Sequence, residues 1–543
     1  MRYTQLKFVL SAAIVVIFSF QGCAQTPERV GGADSVKVDM SITGNFSKQS
    51  DLVFDSTQIT LFFEKFPGVK SYEKDVRGFY RNRNFSYAWF DKGLLIEQAG
   101  NLAGKILNIE DDGIYKKLLY QNALDSLLHG ANEKVDTNHP DISLELLLTA
   151  EYFVYSTLAW EGMNPGVSKA SKWYLPRKAI DYESYLEVLL NSPADKIEEN
   201  EPVYRQYELL RGYLRKYREL DEGDNWSSIL LVKSKEGDTS QFVSQVKERL
   251  FKLGDFKGDT INRVFSPDLS AALINFQKRH GLKPDGLVGN ETLSQLNSPL
   301  KSRIKQIIVN MERSRWLPVK LEGDYVAVNI PEFKLHVYHA DSLLWSCNAV
   351  VGQTTHPTTL FYGEIKYVVF SPYWNIPPGI LRNEIMPGMK KSSSYLAKHR
   401  MEITGYRNGL PVVRQKPGPS NALGLVKFLF PNSYNIYLHD TPSKTLFDES
   451  SRAFSHGCIR IEEPAKLAAF LLKDIEKWTP EKINESMHAG TEQYVTLSNK
   501  VPVFISYFTA FIDREGKLNF RKDIYNLDER LASMIIAGEG VNY

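Results

Sequence analysis

Cysteine is scarce in this chain: three among 543 residues, at positions 23, 347 and 458. Three is too few for a disulfide framework, and it is odd, so at least one thiol has no partner within the chain. Net charge of either sign is also missing. Lys+Arg 66 against Asp+Glu 64 leaves a formal +2, which removes the bulk electrostatic case for a nucleic-acid partner. The uncharged N-terminal run Phe8–Phe20 falls short of the about 20 residues that a membrane-spanning helix needs. What the chain does have is core material. A composition that is 43% hydrophobic and 24% charged belongs to a folded chain, and at roughly 100–200 residues per domain its length predicts three or four units.

The N-terminus carries Arg2 and Lys7 ahead of the apolar run, the pattern of a signal peptide, expected over 1–23. Gln21-Gly22-Cys23-Ala24 resembles the lipobox of bacterial lipoproteins, although Phe20 and Gln21 depart from its usual leucine and small residue. The resemblance implies a lipid on Cys23 and attachment to a membrane; an ordinary secretory signal is the alternative. Both readings export the protein, to the periplasm. Residues 24–50 are polar and aperiodic, as a flexible tether would be.

From 51 to 238 the apolar spacing is mostly helical, predicting a helical scaffold. Leu144, Leu147, Leu148, Phe153, Val154 and Leu158 recur at threes and fours, with Pro165 expected to end that element. The many aromatics here read as core, and the acidic stretch Glu219–Asp224 as a boundary loop. Residues 239–298 form a separate small unit. Val243, Val246, Leu250 and Leu253 mark a helix stopped by Gly254, and Ser266-Pro267 opens a second one through Leu269, Leu273 and Phe276 to Gly281. A third helix carries Leu293 and Leu296. The run FQKRHGLKPDGLVGNETLSQLN resembles the three-helix peptidoglycan-binding domain of cell-wall enzymes; a spacer that binds nothing is the other reading.

From Tyr325 the period changes to two, through Val326, Val328, Ile330, Leu335 and Val337 and later Val368 and Phe370, predicting a mostly-β unit over 299–543. Within it stand Ile436-Tyr437-Leu438-His439-Asp440-Thr441 and Ser455-His456-Gly457-Cys458-Ile459-Arg460. Strand alternation puts Tyr437 and His439 on one face. A thiol attacks only as thiolate and needs a base or a nearby cation. His439 can supply the base and Arg460 the charge if the fold joins them. Gly457 allows close approach of a substrate, and the amides of Gly457 and Cys458 are natural donors to a tetrahedral oxyanion. His439, His456 and Cys458 are also conceivable zinc ligands. A fourth ligand is lacking, however, and the spacing of the last two is awkward for one ion. We therefore expect no metal and no cofactor. Cys347, among Leu343, Leu344, Trp345, Ala349 and Val350, reads as a buried strand residue.

YLHDTPSKTLFDESSRAFSHGCIRIEEP is similar to the signature of the YkuD-type L,D-transpeptidases, whose motif is a histidine followed by Gly or Asp and Thr, then Ser-His/Asn-Gly-Cys-x-Arg. NMERSRWLP (310–318), YWNIPPGI (373–380), QKPGPSNALGLVKFLFPN (415–432) and PVFISYFTAFIDREGKLNFRKDIYNLD (502–528) resemble the large multidomain subfamily. The resemblance implies a multidomain α+β protein: helical scaffold, small peptidoglycan-binding domain, and catalytic domain with an inserted lid at about 381–425. Within that lid SYLAKHRMEI (394–403) looks helical.

It further implies Cys458 as nucleophile, attacking the bond between the third and fourth residues of a stem tetrapeptide and releasing D-alanine. His439 becomes the base that later protonates the leaving amine, oriented by the backbone carbonyl of Asp440. Ser455, His456, Gly457, Arg460 and Tyr437 fall near the substrate. Amine acceptors would give 3–3 cross-links, carbapenems would acylate Cys458, and other cell-wall enzymes would be partners. Two alternatives stay open: an L,D-carboxypeptidase using the same acyl-enzyme, and a non-catalytic wall-anchoring lipoprotein.

Overall fold

The computed structural model describes residues 52–133, 139–192, 201–223 and 226–537. The expected signal peptide, Cys23 and the tether lie outside them. Among the described residues no helix is long and apolar enough to cross a membrane.

The N-terminal region is helical around one buried helix, α1 (Ile142–Ser156). Asp141 caps it, its carboxylate accepting from the amides of Ser143 (2.8 Å) and Leu144 (3.2 Å). The helix is buried nearly all round, Glu145, Thr149 and Glu151 included, because neighbours cover every side. Pro165 does not end it. The chain passes through a π turn, Thr157–Glu161, and breaks at Gly162, while Pro165 opens the next short helix behind Asn164. Proline suits a first helical position, where its missing N–H costs nothing. The boundary expected at 219–224 also moves. Helix α2 (Arg205–Gly223) runs through Glu219–Glu222, where Glu219, Leu220 and Glu222 are good helix formers and the acidic side chains lie on its more exposed side.

The small unit matches its sequence pattern closely. Helix α3 (Gln241–Leu253) starts at the Ser240 cap and stops at Gly254; α4 (Pro267–Arg279) starts at the Ser266 cap; α5 spans Asn290–Leu296. Val243, Val246, Leu250, Leu269, Leu273, Phe276 and Leu296 form its core, and Ile229 joins them from the preceding segment. Helix α6 (Leu300–Arg315) then packs along α2 and leads into the β region.

That region is built on one large sheet whose first strand comes from the helical part. Trp173–Tyr174 (β1) pairs with a later strand through Trp173↔Leu360. The others are β2 (Asp324–Asn329), β3 (Lys334–His339), β4 (Ser342–Gly352) and β5 (Leu360–Phe370). Next come β6 (Trp374–Asn375), β7 (Met401–Arg407) and β8 (Leu410–Gln415), which form a separate small sheet. The large sheet resumes with β9 (Val426–Leu429), β10 (Leu438–His439), β11 (Ala453–Ser455), β12 (Ile459–Ile461) and β13 (Gln493–Ser506). Its order is β9-β10-β12-β4-β3-β2-β13-β5-β1, and β9 pairs back on β5. The ring therefore closes, which removes exposed edges along most of its circumference.

The insertion carrying β7 and β8 has a core of its own. Leu381, Ile385 and Val413 are buried, with Met386, Met389 and Leu410 packed round them. The helix expected across 394–403 is only Tyr395–Lys398. Arg400 takes a left-handed conformation (φ 54°), held by a bond from its guanidinium to the Pro417 carbonyl (2.9 Å). From Met401 the chain is extended. The local apolar spacing fits a helix, but the tertiary pairing of β7 with β8 decides the outcome.

Candidate active site

Two short parallel strands build the site. In the β10–β12 pair Leu438 is opposite Ile459 and His439 opposite Arg460. Leu438 and Ile459 are fully buried inside the ring. By alternation the opposite face carries Tyr437 and His439 from one strand and Cys458 and Arg460 from the other. The amide of Ile459 donates to the Tyr437 carbonyl at 3.2 Å, which sets Cys458 beside Tyr437, and the Tyr437 and His439 ring centroids are 5.6 Å apart.

His439 is buried, and its Nδ1 lies 2.5 Å from the Asp440 carbonyl oxygen. That carbonyl can only accept, so the proton sits on Nδ1 and Nε2 carries the lone pair. The Asp440 carboxylate points elsewhere, accepting from the Leu425 amide (2.8 Å) and from Lys444 Nζ (2.6 Å). Lys427, paired with His439 across β9–β10, adds a second cation beside Arg460. Burial, then the charge of Arg460, then that of Lys427 push the imidazole down to about 3 against the favourable Asp440 carbonyl.

Cys458 is half-buried, and its Sγ lies 3.6 Å from the Asn435 carbonyl. Burial raises its thiol, opposed by the neighbouring Tyr437 and by the charge of Arg460. The resting pair is thus neutral thiol and neutral imidazole, the state a general base requires. Among the described residues Arg460 has no carboxylate partner, and its Nε is buried without an acceptor. Its guanidinium is available to a ligand anion.

The residues before Cys458 mainly hold the loop. Ser455 Oγ donates to the Cys458 carbonyl (2.5 Å) and accepts from the Gly457 amide (3.1 Å). One of the two amides expected as oxyanion donors is therefore already engaged. Gly457 itself has φ 111°, which only glycine adopts without strain. His456 is exposed and turns outward. Its Nε2 lies 3.2 Å from a carboxylate oxygen of Glu384 in the insertion, and its ring 5.3 Å from that of His356. Cys347 lies buried in β4 at some remove from this face, its thiol pushed up to about 11 by burial. Among the described residues no cluster of three or more His, Cys, Asp or Glu could hold a metal ion.

Residues 323–501 match the family described as YkuD, "L,D-transpeptidase catalytic domain". This chain carries a YkuD-type L,D-transpeptidase domain. Residues 74–214 match a "Scaffold domain" and residues 239–296 a "Putative peptidoglycan binding domain". A Haemophilus influenzae protein named "Putative L,D-transpeptidase" is 32% identical over 243 residues, 42% of this chain and 49% of that protein. The chain thus spans about half the length of this curated relative. Among solved structures, residues 123–326 of an L,D-transpeptidase from Xylanimonas cellulosilytica share 15% identity at a TM-score of 0.18, covering 52% of this chain and 100% of theirs. An L,D-transpeptidase from Stackebrandtia nassauensis shares 16% at a TM-score of 0.21, covering 51% and 96%.

Three further residues reach this site that were not among the expected site residues. Asn435 (φ 56°) offers its carbonyl to the thiol because Asn432 ties down the preceding loop, bonding the Phe430 and Ile436 carbonyls at 2.6 and 2.8 Å. Trp374 of β6 sits beside the Tyr437 hydroxyl. Lys427 reaches the face from β9 and bonds Glu492 at 3.3 Å. Trp374 and Lys427 come from distant sequence, Lys427 through the β9–β10 pairing, whereas Asn435 directly precedes Ile436 behind the Asn-rich turn Asn432–Asn435.

Proposed function

We propose that the protein is a cysteine L,D-transpeptidase of the exported compartment, acting on peptidoglycan stem peptides. What carries the reading is the register that sets Cys458, Tyr437, His439 and Arg460 on one face. The Cys458 sulfur attacks the carbonyl between the third and fourth stem residues as its proton passes to His439 Nε2. The negative charge that develops on the carbonyl oxygen is met by the Cys458 amide. The C–N bond then breaks, His439 returns the proton to the leaving nitrogen, and D-alanine departs, leaving a thioester. A side-chain amine of a second stem attacks that thioester, gives a proton to His439 and releases the thiolate, which regains it. The product is a 3–3 cross-link. Arg460 holds a substrate carboxylate in this scheme, and His456 a contact between the catalytic loop and the insertion.

The insertion favours transfer over hydrolysis. A module with its own core, linked to the loop through Glu384 and His456, can keep water from the thioester until an amine arrives. The Cys23 lipid would hold the enzyme at a membrane, with the small helical unit on the wall. Incubation with disaccharide-tetrapeptide, read by mass spectrometry, tests the reading. A cross-linked dimer with loss of D-alanine supports it; tripeptide alone means a carboxypeptidase; unchanged substrate means a wall-anchoring protein without catalysis.

A further inference from the structure

We infer that Thr358 is a positioning residue that aims the oxyanion donor. The inference rests on the reading of Cys458 as an acylated nucleophile. Thr358 lies far from the signature motif in sequence and is almost fully buried. Its hydroxyl donates to the Gly457 carbonyl at 2.8 Å and accepts from the Gly352 amide at 2.9 Å. The Gly352 amide can only donate, so the single hydroxyl proton is committed to Gly457.

The Gly457 carbonyl and the Cys458 N–H belong to one peptide unit, and in a planar trans peptide they point in opposite directions. A bond that fixes the carbonyl therefore fixes the N–H. Gly457, at φ 111°, sits in a region where the peptide would otherwise turn easily. From the other side Ser455 Oγ holds the Cys458 carbonyl at 2.5 Å. The two hydroxyls together clamp the peptide units before and after Cys458.

Thr358 is itself held. The Tyr525 hydroxyl accepts from the Thr358 amide (3.1 Å) and donates to the Gly352 carbonyl (2.6 Å). Tyr525 stacks on Tyr507 with ring centroids 5.6 Å apart, and its amide donates to the Tyr507 hydroxyl at 2.8 Å. Gly352 must be small for this turn to lie against β4, since a Cβ there would meet the Thr358 nitrogen at 2.7 Å. The C-terminal segment thus reaches the nucleophile loop through one side chain.

The test separates two reactions of the same thiol. Acylation by a stem tetrapeptide or a carbapenem develops an oxyanion. Alkylation by iodoacetamide, in which sulfur displaces iodide from carbon, does not. Thr358→Val keeps the shape and removes the hydroxyl. We expect acylation to slow on the order of 10–100-fold, less than the roughly 10²–10³ for deleting an oxyanion donor outright. Alkylation should change by less than about twofold, and Thr358→Ser should restore acylation. Tyr525→Phe should show the same selective loss, more weakly, and serves if Thr358→Val does not fold. Wild-type acylation rates in both variants, or equal losses in both reactions, would overturn the inference and leave the proposed function standing. A wild-type protein that no acyl donor modifies would overturn both.

Discussion

His439 and Arg460 stand directly opposite one another across the parallel β10–β12 pair, so a fixed cation faces the base from the neighbouring strand. Such a cation disfavours imidazolium and favours thiolate. It keeps His439 neutral at rest, makes the imidazolium harder to form, and lowers the cost of ionising Cys458.

The first prediction concerns pH. With His439 held down to about 3, the acidic limb of kcat/KM for acylation should fall well below the ordinary histidine range. Arg460→Gln removes a positive neighbour, so the His439 pKa rises and the limb moves to higher pH. The Cys458 pKa rises as well, so iodoacetamide labelling at a fixed pH of about 8 should slow. A limb that stays in place would mean Arg460 does not act on His439.

The same depression carries a stability cost. An unfolded chain protonates His439 near its ordinary pKa of about 6.5, whereas the folded chain resists until about 3. Between those values the unfolded state binds more protons, so this group's contribution is intact above about 6.5 and is lost as pH falls towards 3. His439→Gln should flatten that part of the stability profile, measured by urea melts across the window.

Asp440 is expected to be structural. Its side chain serves the Leu425 amide and Lys444, and only its carbonyl meets His439. Asp440→Asn keeps an acceptor for Leu425 and should lower kcat/KM by less than about tenfold. Loss of a true triad acid costs about 10⁴, so a drop of that size would contradict the assignment.

The insertion should govern the fate of the thioester. Val413→Ala in its core removes buried methyl groups, a loss of about 1–2 kcal/mol, mostly local to 381–415. Hydrogen exchange should rise there and little elsewhere, while the ratio of tripeptide to cross-linked dimer increases. An unchanged ratio with increased exchange would detach the insertion from water exclusion.

Much of this was legible in the sequence wherever local chemistry decides the structure. The caps Ser240 and Ser266 and the stop at Gly254 set α3 and α4, and strand alternation put Tyr437 and His439 on one face. Where distant pairing decides, the sequence was silent or misleading. Met401 lies in a helical-looking pattern but pairs as a strand with Gln415. Gly457 looked like an oxyanion donor, yet Ser455, two residues away, takes its amide. Thr358 lies outside every run singled out in the sequence, and Tyr525, within 502–528, shows no chemistry there, because their role exists only after β4 and the C-terminal segment meet at the nucleophile loop.

The most direct test of the account is the intact mass of the protein after brief incubation with disaccharide-tetrapeptide, followed by peptide mapping. An acyl adduct equal to the donor minus D-alanine is expected on Cys458 and is missing from Cys458→Ala. An adduct on Cys347, or one that persists in Cys458→Ala, would contradict it.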